Sequence, residues 1–416
     1  MVTAADPLAA NRSAQPVTDV DQQFVQSTLA GIVYWQQRLQ AADETGLSTL
    51  NRERRNILYA IEFGLRLPQT LRDAAALTLH TFYLVHSAGH LPRWIPIFEW
   101  AASLVGPIDG ALQRQLWNRV GQLYHAASRL DEAVAAHRWV AQAAREAGDE
   151  QAEAQALFHL AEDFRQQHEY DQAHRYAQQA LQRFEALGSE DKWTAGALNT
   201  LAMVAWRRGQ RQEAEAQFRR VIELYRTLGK KVQLARALNN LGGVLREQES
   251  YEAARETYEE AAAVLANTGA TLEEVIINIS LASLYYEQEQ YEAAENAFRA
   301  ADTPYLQRSG HSHYQAYVAN GLGNTFWRQG RLRAAEAKLK RAVALWREAD
   351  GELMMANSIR SIARVLAAQG RPREAVAHYD EALQIAVRYK DDAWARELAS
   401  EIREERERTA GAADSE

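Results

Sequence analysis

Asparagine recurs in this 416-residue chain at a spacing that suits hydrogen-bonding chemistry. Asn118, Asn199, Asn239 and Asn320 each stand two residues before a large aliphatic residue: Val120, Leu201, Leu241 and Leu322. Asparagine is a mediocre helix former, so four of them at one helical position are unexpected. The carboxamide offers both a donor and an acceptor, which is what an extended peptide backbone presents in return. A ladder of such amides can hold a main chain without reading its side chains. The competing reading is structural: each asparagine bonds a neighbouring segment's backbone and fixes how the segments stack. Asn324 shares the face of Asn320, one helical turn on.

Other chemistries find less support. The chain has no cysteine, which excludes disulfides, thiolate metal sites and a cysteine nucleophile. His86 and His90 lie one turn apart but lack a third ligand, and His-Glu-x-x-His is missing. His311 and His313 share a loop, a weak metal pattern. Paired carboxylates such as Glu259–Glu260 lie on charge-rich faces, so no general acid or base stands out. Gly229-Lys230 lacks the earlier glycine and the following Ser or Thr of a phosphate loop. No Gly-x-Ser-x-Gly elbow or dinucleotide fingerprint occurs. The expectation is a non-enzyme without cofactor or metal. The net charge of −8 argues against nucleic acid or an anionic membrane as the main partner. No apolar run approaches the roughly 18 residues of a membrane helix. With no secretory leader at Met1–Gln15, the expected location is cytoplasmic.

The asparagines belong to a repeat. The positions Val120, Leu160, Leu201, Leu241, Leu281, Leu322 and Ile362 are separated by 40 or 41 residues. The residue after each anchor is small: Gly121, Ala161, Ala202, Gly242, Ala282, Gly323 and Ala363. Thirteen residues after each anchor stands an alanine, from Ala133 to Ala375. Apolar residues such as Leu198, Leu201, Ala202 and Ala205 form one helical stripe. A polar turn such as Arg208-Gly209-Gln210 then leads to a second stripe, Ala214, Phe218 and Val221. Gly148, Gly188, Gly229, Gly269, Gly310 and Gly351 mark the ends of second helices, where left-handed glycine caps are expected. Pro372 sits early in the last second helix, where a missing N–H costs little. The prediction is an all-α solenoid of seven regular helix pairs over residues 111–390.

The segment beginning at Leu198, LNTLAMVAWRRGQRQEAEAQFRRVIELY, resembles the tetratricopeptide repeat. The unit is about six residues longer than the usual 34 and lacks the closing proline. In this it is similar to the 40-residue variety in kinesin light chains and in the helical arms of bacterial MalT/AfsR-type regulatory ATPases. The resemblance implies a right-handed solenoid whose first helices line a concave groove. It also implies that asparagines on that face hold a peptide backbone. Residues 21–110 are helical but off-pattern, with one degenerate unit at Thr81, Gly89, Trp94 and Phe98. STLNRERRNILYAIEFGL resembles, more loosely, the segment before those helical arms. The ATPase itself is not in this sequence, so the expectation is a stand-alone protein or a subunit of a split system. Residues 1–20 read as a flexible lead, 391–408 as a polar capping helix and 409–416 as a loose tail.

On a helical wheel, positions −5, −2, +2, +5 and +6 from each anchor face away from the core. They carry Arg165, Arg207, Arg236, Arg246, Arg328, Arg360 and Arg364 against Glu162, Glu247 and Glu287. This excess predicts an acidic ligand. Trp206, Tyr286 and Trp327 at +5 are candidate apolar anchors, with burial against the next repeat as the alternative. The arginines can equally pair with glutamates of their own chain. The function expected is a scaffold that binds an extended, acidic peptide segment of a partner protein in the groove. One alternative is a sensory or regulatory subunit of a bacterial signalling or defence system, acting with a separate ATPase or effector. The other is a self-associating architectural protein. The sequence leaves the oligomeric state open.

Overall fold

The computed structural model describes residues 19–413 apart from 43, 89–90, 190–191, 267, 270 and 391. The expected lead lies outside them as far as residue 18, as do Gly89, His90 and residues 414–416. Every regular element among the described residues is helical. Six helices come first: α1 (Asp19–Gln40), α2 (Glu44–Arg52), α3 (Arg54–Arg66), α4 (Leu71–His80), α5 (Phe82–Ala88) and α6 (Leu91–Val105). Helix pairs follow at the expected period. They are α7 (Gly110–Ala126) with α8 (Leu130–Glu146), α9 (Glu150–Gln166) with α10 (Tyr170–Ala186), and α11 (Lys192–Arg207) with α12 (Arg211–Thr227). Next come α13 (Lys231–Glu247) with α14 (Tyr251–Leu265), and α15 (Thr271–Glu287) with α16 (Tyr291–Ala301). After the short α17 (Pro304–Arg308) come α18 (Ser312–Arg328) with α19 (Leu332–Glu348), and α20 (Glu352–Ala368) with α21 (Pro372–Ala386). The last helix is α22 (Ala393–Ala413). No described helix is long and apolar enough to cross a membrane.

The chain divides into two compact units, residues 1–204 and 205–416. Within the first, α6 to α10 each pack on the next helix in sequence. Within the second, α12 to α16 do so, as do α18 to α22. Small residues permit these contacts. All seven alanines at +13, from Ala133 to Ala375, are completely buried. The glycines at +1 face large side chains of the partner helix. A Cβ on Gly121 would lie 2.4 Å from His137 Nε2, and one on Gly242 would lie 2.5 Å from Tyr258 Cε1. In the off-pattern region, Thr81 is buried at the end of α4, and Trp94 and Phe98 are buried on α6.

The turn inside every pair places one residue in the left-handed region: Ser128, His168, Gly209, Glu249, Glu289, Gly330 and Gly370. Four of these are not glycine, each at a cost of about 1–2 kcal/mol that helix packing must outweigh. Five of the six glycines expected to cap second helices have positive φ. Gly351 does not. Asp350 takes the left-handed conformation at φ 53°, and Gly351 becomes the N-cap of α20. A side chain there would meet Trp346, with Cβ 2.7 Å from Cε3.

Helix α22 runs five residues beyond the expected end of the capping helix at 408. It also keeps the repeat's period. Ile402 is fully buried 40 residues after Ile362, so α22 is placed as an eighth first helix. Its Glu405 receives Arg360 Nε at 3.1 Å and Arg364 Nε at 2.9 Å, and Glu401 also pairs with Arg360. Burial opposes ionisation of Glu405, but the hydrogen bonds and charges of both arginines prevail and hold its carboxyl at about 2.

Two outcomes follow. Because His137 is buried and held by a hydrogen bond to Asp163, it cannot yield to a new methyl group. Gly121→Ala is expected to cost about 1–3 kcal/mol in urea unfolding. For Glu405 the folded pKa lies below the unfolded value of 4.5, so its contribution is fully present above pH 4.5. It is lost as pH falls toward about 2, and amounts to something on the order of 3 kcal/mol. Unfolding titrations of wild type and Glu405→Gln should therefore converge as pH drops from 5 toward 2; curves that stay parallel would refute this linkage.

Candidate functional site

The asparagines differ in their surroundings. All of Asn118, Asn199, Asn239, Asn320 and Asn324 are half-buried. Asn320 Oδ1 accepts from Ser358 Oγ of the next first helix at 2.9 Å, so this amide helps to stack α18 on α20. The buried Oδ1 atoms of Asn118 and Asn239 have no hydrogen-bond partner among the described residues. In the second unit Asn239 lines a cleft of about 340 Å3 near the N-terminal ends of α13, α15 and α18. Its other walls include Arg236, Asn240, Glu273, Ile276 and Tyr314. Of the twelve candidate partner-binding residues, this cleft gathers Asn239 alone. The wheel missed Glu273 and Tyr314 because they lie eight residues before their anchors, a turn beyond the positions tallied. At 100° per residue they also lie about 40° outside the face those positions define.

The arginines are largely engaged with their own chain. Arg165 pairs with Glu162 at 2.9 Å, Arg246 with Glu287 at 3.7 Å and Arg328 with Glu289 at 2.9 Å. Arg236 Nε donates to Glu273 at 3.2 Å, and Arg360 and Arg364 are held by α22. The seven-to-three excess read from the wheel is therefore corrected. Glu273, Glu289, Glu401 and Glu405 were outside that set, as was Arg211, which pairs with Glu247; with them the excess falls from four to one. Arg207 is the exception among the described residues. It is exposed and lies 5.8 Å from the Trp206 ring.

Packing also occupies the three aromatics, which are all half-buried. Trp206 meets Phe218 edge-on at 6.3 Å, and a Cβ on Gly243 would lie 2.6 Å from its ring. Tyr286 lies 5.8 Å from Tyr291. Trp327 packs on the core, with the Arg364 guanidinium 5.7 Å from its ring.

Sequence reasoning passed over one buried polar cluster in the first unit. Asp163, on α9, accepts from His125 Nδ1 at 2.8 Å and His137 Nδ1 at 2.6 Å. His159 stacks on His137 at 5.0 Å and meets Gln122 at 3.0 Å. Burial works against an ionised Asp163, but the two imidazole hydrogen bonds outweigh it and lower its pKa. Burial, followed by the charge of His137, pushes His159 well below the ordinary imidazole value. Among the described residues no nucleophile joins the cluster, which ties α7, α8 and α9 together. His313 meets the Trp346 ring edge-on at 5.0 Å, and burial lowers its pKa. Among the described residues no group of three or more His, Asp or Glu is placed to hold a metal ion.

Solved structures share this fold. The apo quorum sensor NprR of B. thuringiensis superposes with a TM-score of 0.59 at 13% identity, over 88% of this chain and 99% of that one. A signal transduction ATPase with numerous domains from Pyrococcus horikoshii, which carries a tetratricopeptide repeat sensor, gives 0.58 at 15% identity. That match covers 84% of this chain but 55% of the other, so the present chain spans about half its length. A Rap protein complexed with Competence and Sporulation Factor gives 0.51 at 15% identity, over 85% and 99%. No curated protein matches the chain by sequence. The profile of the tetratricopeptide repeat matches residues 112–186, 175–227, 193–267, 233–301 and 314–388. The helix pairs, their small-residue contacts and these matches converge: the chain belongs to the tetratricopeptide repeat family.

Proposed function

We propose that this protein is an interaction scaffold that holds an extended segment of a partner protein on the first helices of residues 205–416. The observation that carries the reading is the Asn239 carboxamide oxygen. It is buried and unpaired beside a cleft of about 340 Å3. An unpaired buried acceptor costs about 1–3 kcal/mol. Turned into the cleft, the carboxamide would accept a backbone N–H of an extended segment, while Ile276 and Tyr314 supply apolar contact. Among the described arginines of the stripe, an acidic segment has Arg207 as a ready cation. Elsewhere on this face it gains only by displacing the chain's own glutamates. The regulatory alternative keeps the same ligand site and adds an effector. It is favoured by fold likeness to a quorum sensor and to a Rap protein solved with a bound factor.

The first test is affinity capture from the host's lysate, with wild type and Asn239→Ala compared by mass spectrometry. A partner segment bound through this amide is expected to bind Asn239→Ala about tenfold more weakly. Equal capture by both proteins would remove the amide from the interaction. A urea unfolding series separates the ladder's two roles. Asn320→Ala is expected to lose about 1 kcal/mol with its Ser358 bond. Asn239→Ala, which gives up no bond, is expected to lose none of that amount. A similar loss in both variants would make the whole ladder a stacking device.

A further inference from the structure

The second helices of the N-terminal unit form a separate cleft. It lies between α8 and α10, over Leu157 and Leu160 of α9, and encloses about 520 Å3. Three guanidinium groups line it, those of Arg138, Arg145 and Arg175. Gln142, Gln172 and Gln179 add amides, and no carboxylate is in the lining. Arg145 is committed to the buried Glu153 at 2.8 Å, which also takes Arg183 at 3.3 Å. Glu146 of α8 accepts from Gln142 at 2.7 Å rather than from an arginine. Arg138 and Arg175 face no carboxylate among the described residues. Arg175 donates to Gln172 Oε1 at 2.5 Å, which leaves the amide N–H groups of Gln172 as donors. Arg138 lies 5.5 Å from the Phe164 ring, which stacks on Tyr176 at 5.4 Å. A guanidinium resting on a stacked ring pair is held in place rather than swinging free.

The repeat supplies its own control. Eighty-one residues on, the equivalent cleft between α12 and α14 has nearly the same volume, about 510 Å3. Arg219 and Arg226 stand there in place of Arg138 and Arg145. Gln142, Arg175 and Gln179 are replaced by Glu223, Glu256 and Glu260. Arg226 bridges Glu223 at 2.5 Å and Glu260 at 2.8 Å, so carboxylates of the lining itself neutralise that guanidinium. The N-terminal cleft has nearly the same volume and no carboxylate in its lining.

We propose that the Arg138–Arg175 cleft binds a phosphate monoester. Two uncompensated guanidinium charges match the charge of about −2 that such a group carries above its second pKa of about 6. The planar forks and nearby amide donors match its three acceptor oxygens. The phosphate can come from a small ester or from a phosphorylated side chain of a partner.

The test is isothermal titration of the full chain above pH 7 with three probes. They are O-phosphoserine, a short phosphoserine peptide and the same peptide without phosphate. Wild type is expected to bind the phosphorylated probes and not the third, with affinity that falls as salt rises. A peptide at least tenfold tighter than O-phosphoserine would assign the site to a phosphorylated partner, and equal affinities to a small ester. Arg138→Gln with Arg175→Gln should weaken binding by about 100-fold or more. Gln142→Glu with Gln179→Glu, which reproduces the acids of the cleft two repeats on, should abolish it, so the test survives misfolding of either variant. Failure of wild type to bind either phosphorylated probe overturns the proposal. So does undiminished binding by a folded arginine double variant.

Discussion

The contact on which the rest of the structure depends is the close approach of the two helices in each pair. At +13 the second helix presents an alanine with no exposed surface, and at +1 the first helix presents glycine or alanine. Small side chains bring the backbones together, so the larger apolar residues three and four positions away interlock. Gly121 against His137 and Gly323 against Leu339 show how little room remains. Once this spacing is set, consecutive pairs must stack, because one pair alone cannot bury its apolar face. The four non-glycine residues held at positive φ in the turns bear the same constraint. Packing keeps the turn geometry even where Ser128, His168, Glu249 and Glu289 pay for it.

Stacking between repeats uses a second set of interactions, polar rather than apolar. Side chains of successive first helices meet across 35 to 41 residues of sequence, as in Arg114–Asp149, His125–Asp163, Ser358–Asn320 and Arg364–Glu405. Most residues that look available to a ligand on one helix are therefore already spent on its neighbour. Where such pairs are exposed, as Arg236–Glu273 is, they are worth little individually. Their consequence is specificity: they fix the register between repeats and leave few polar groups unpaired. The Asn239 oxygen and the two arginines of the α8–α10 cleft stand out because so much around them is satisfied.

Charge in this molecule is local. The chain carries −8 in total, yet one cleft is lined by three arginines and no acid. Its equivalent two repeats later keeps arginine at two of these three positions and adds three glutamates to the lining. A repeat architecture permits this because each unit keeps the packing positions and leaves the solvent-facing ones free to vary. Apolar anchors and +13 alanines persist through all seven pairs, while position +15 changes from Arg175 to Glu256. A repeat fold can thus carry different binding chemistry on different rungs of one scaffold.

The sequence by itself determined the helix pairs, their 40-residue period and the buried set. These follow from local periodicity and from residue sizes that recur with the repeat, and every anchor from Val120 to Ile362 is indeed buried. It also showed four asparagines recurring at one helical position. Which of them is engaged was decided only by tertiary structure, because Asn320 and Asn239 occupy the same position and differ in what the next helix offers. Ser358 answers Asn320, and nothing answers the Asn239 oxygen. The arginine stripe misled for the same reason. A helical wheel tallies one helix at a time, whereas Glu273, Glu289 and Glu405 reach their arginines from other turns and other repeats. Periodicity specifies a direction from the helix axis. Hydrogen-bond and charge satisfaction depend on distances between segments far apart in the chain, and only the packed structure sets those.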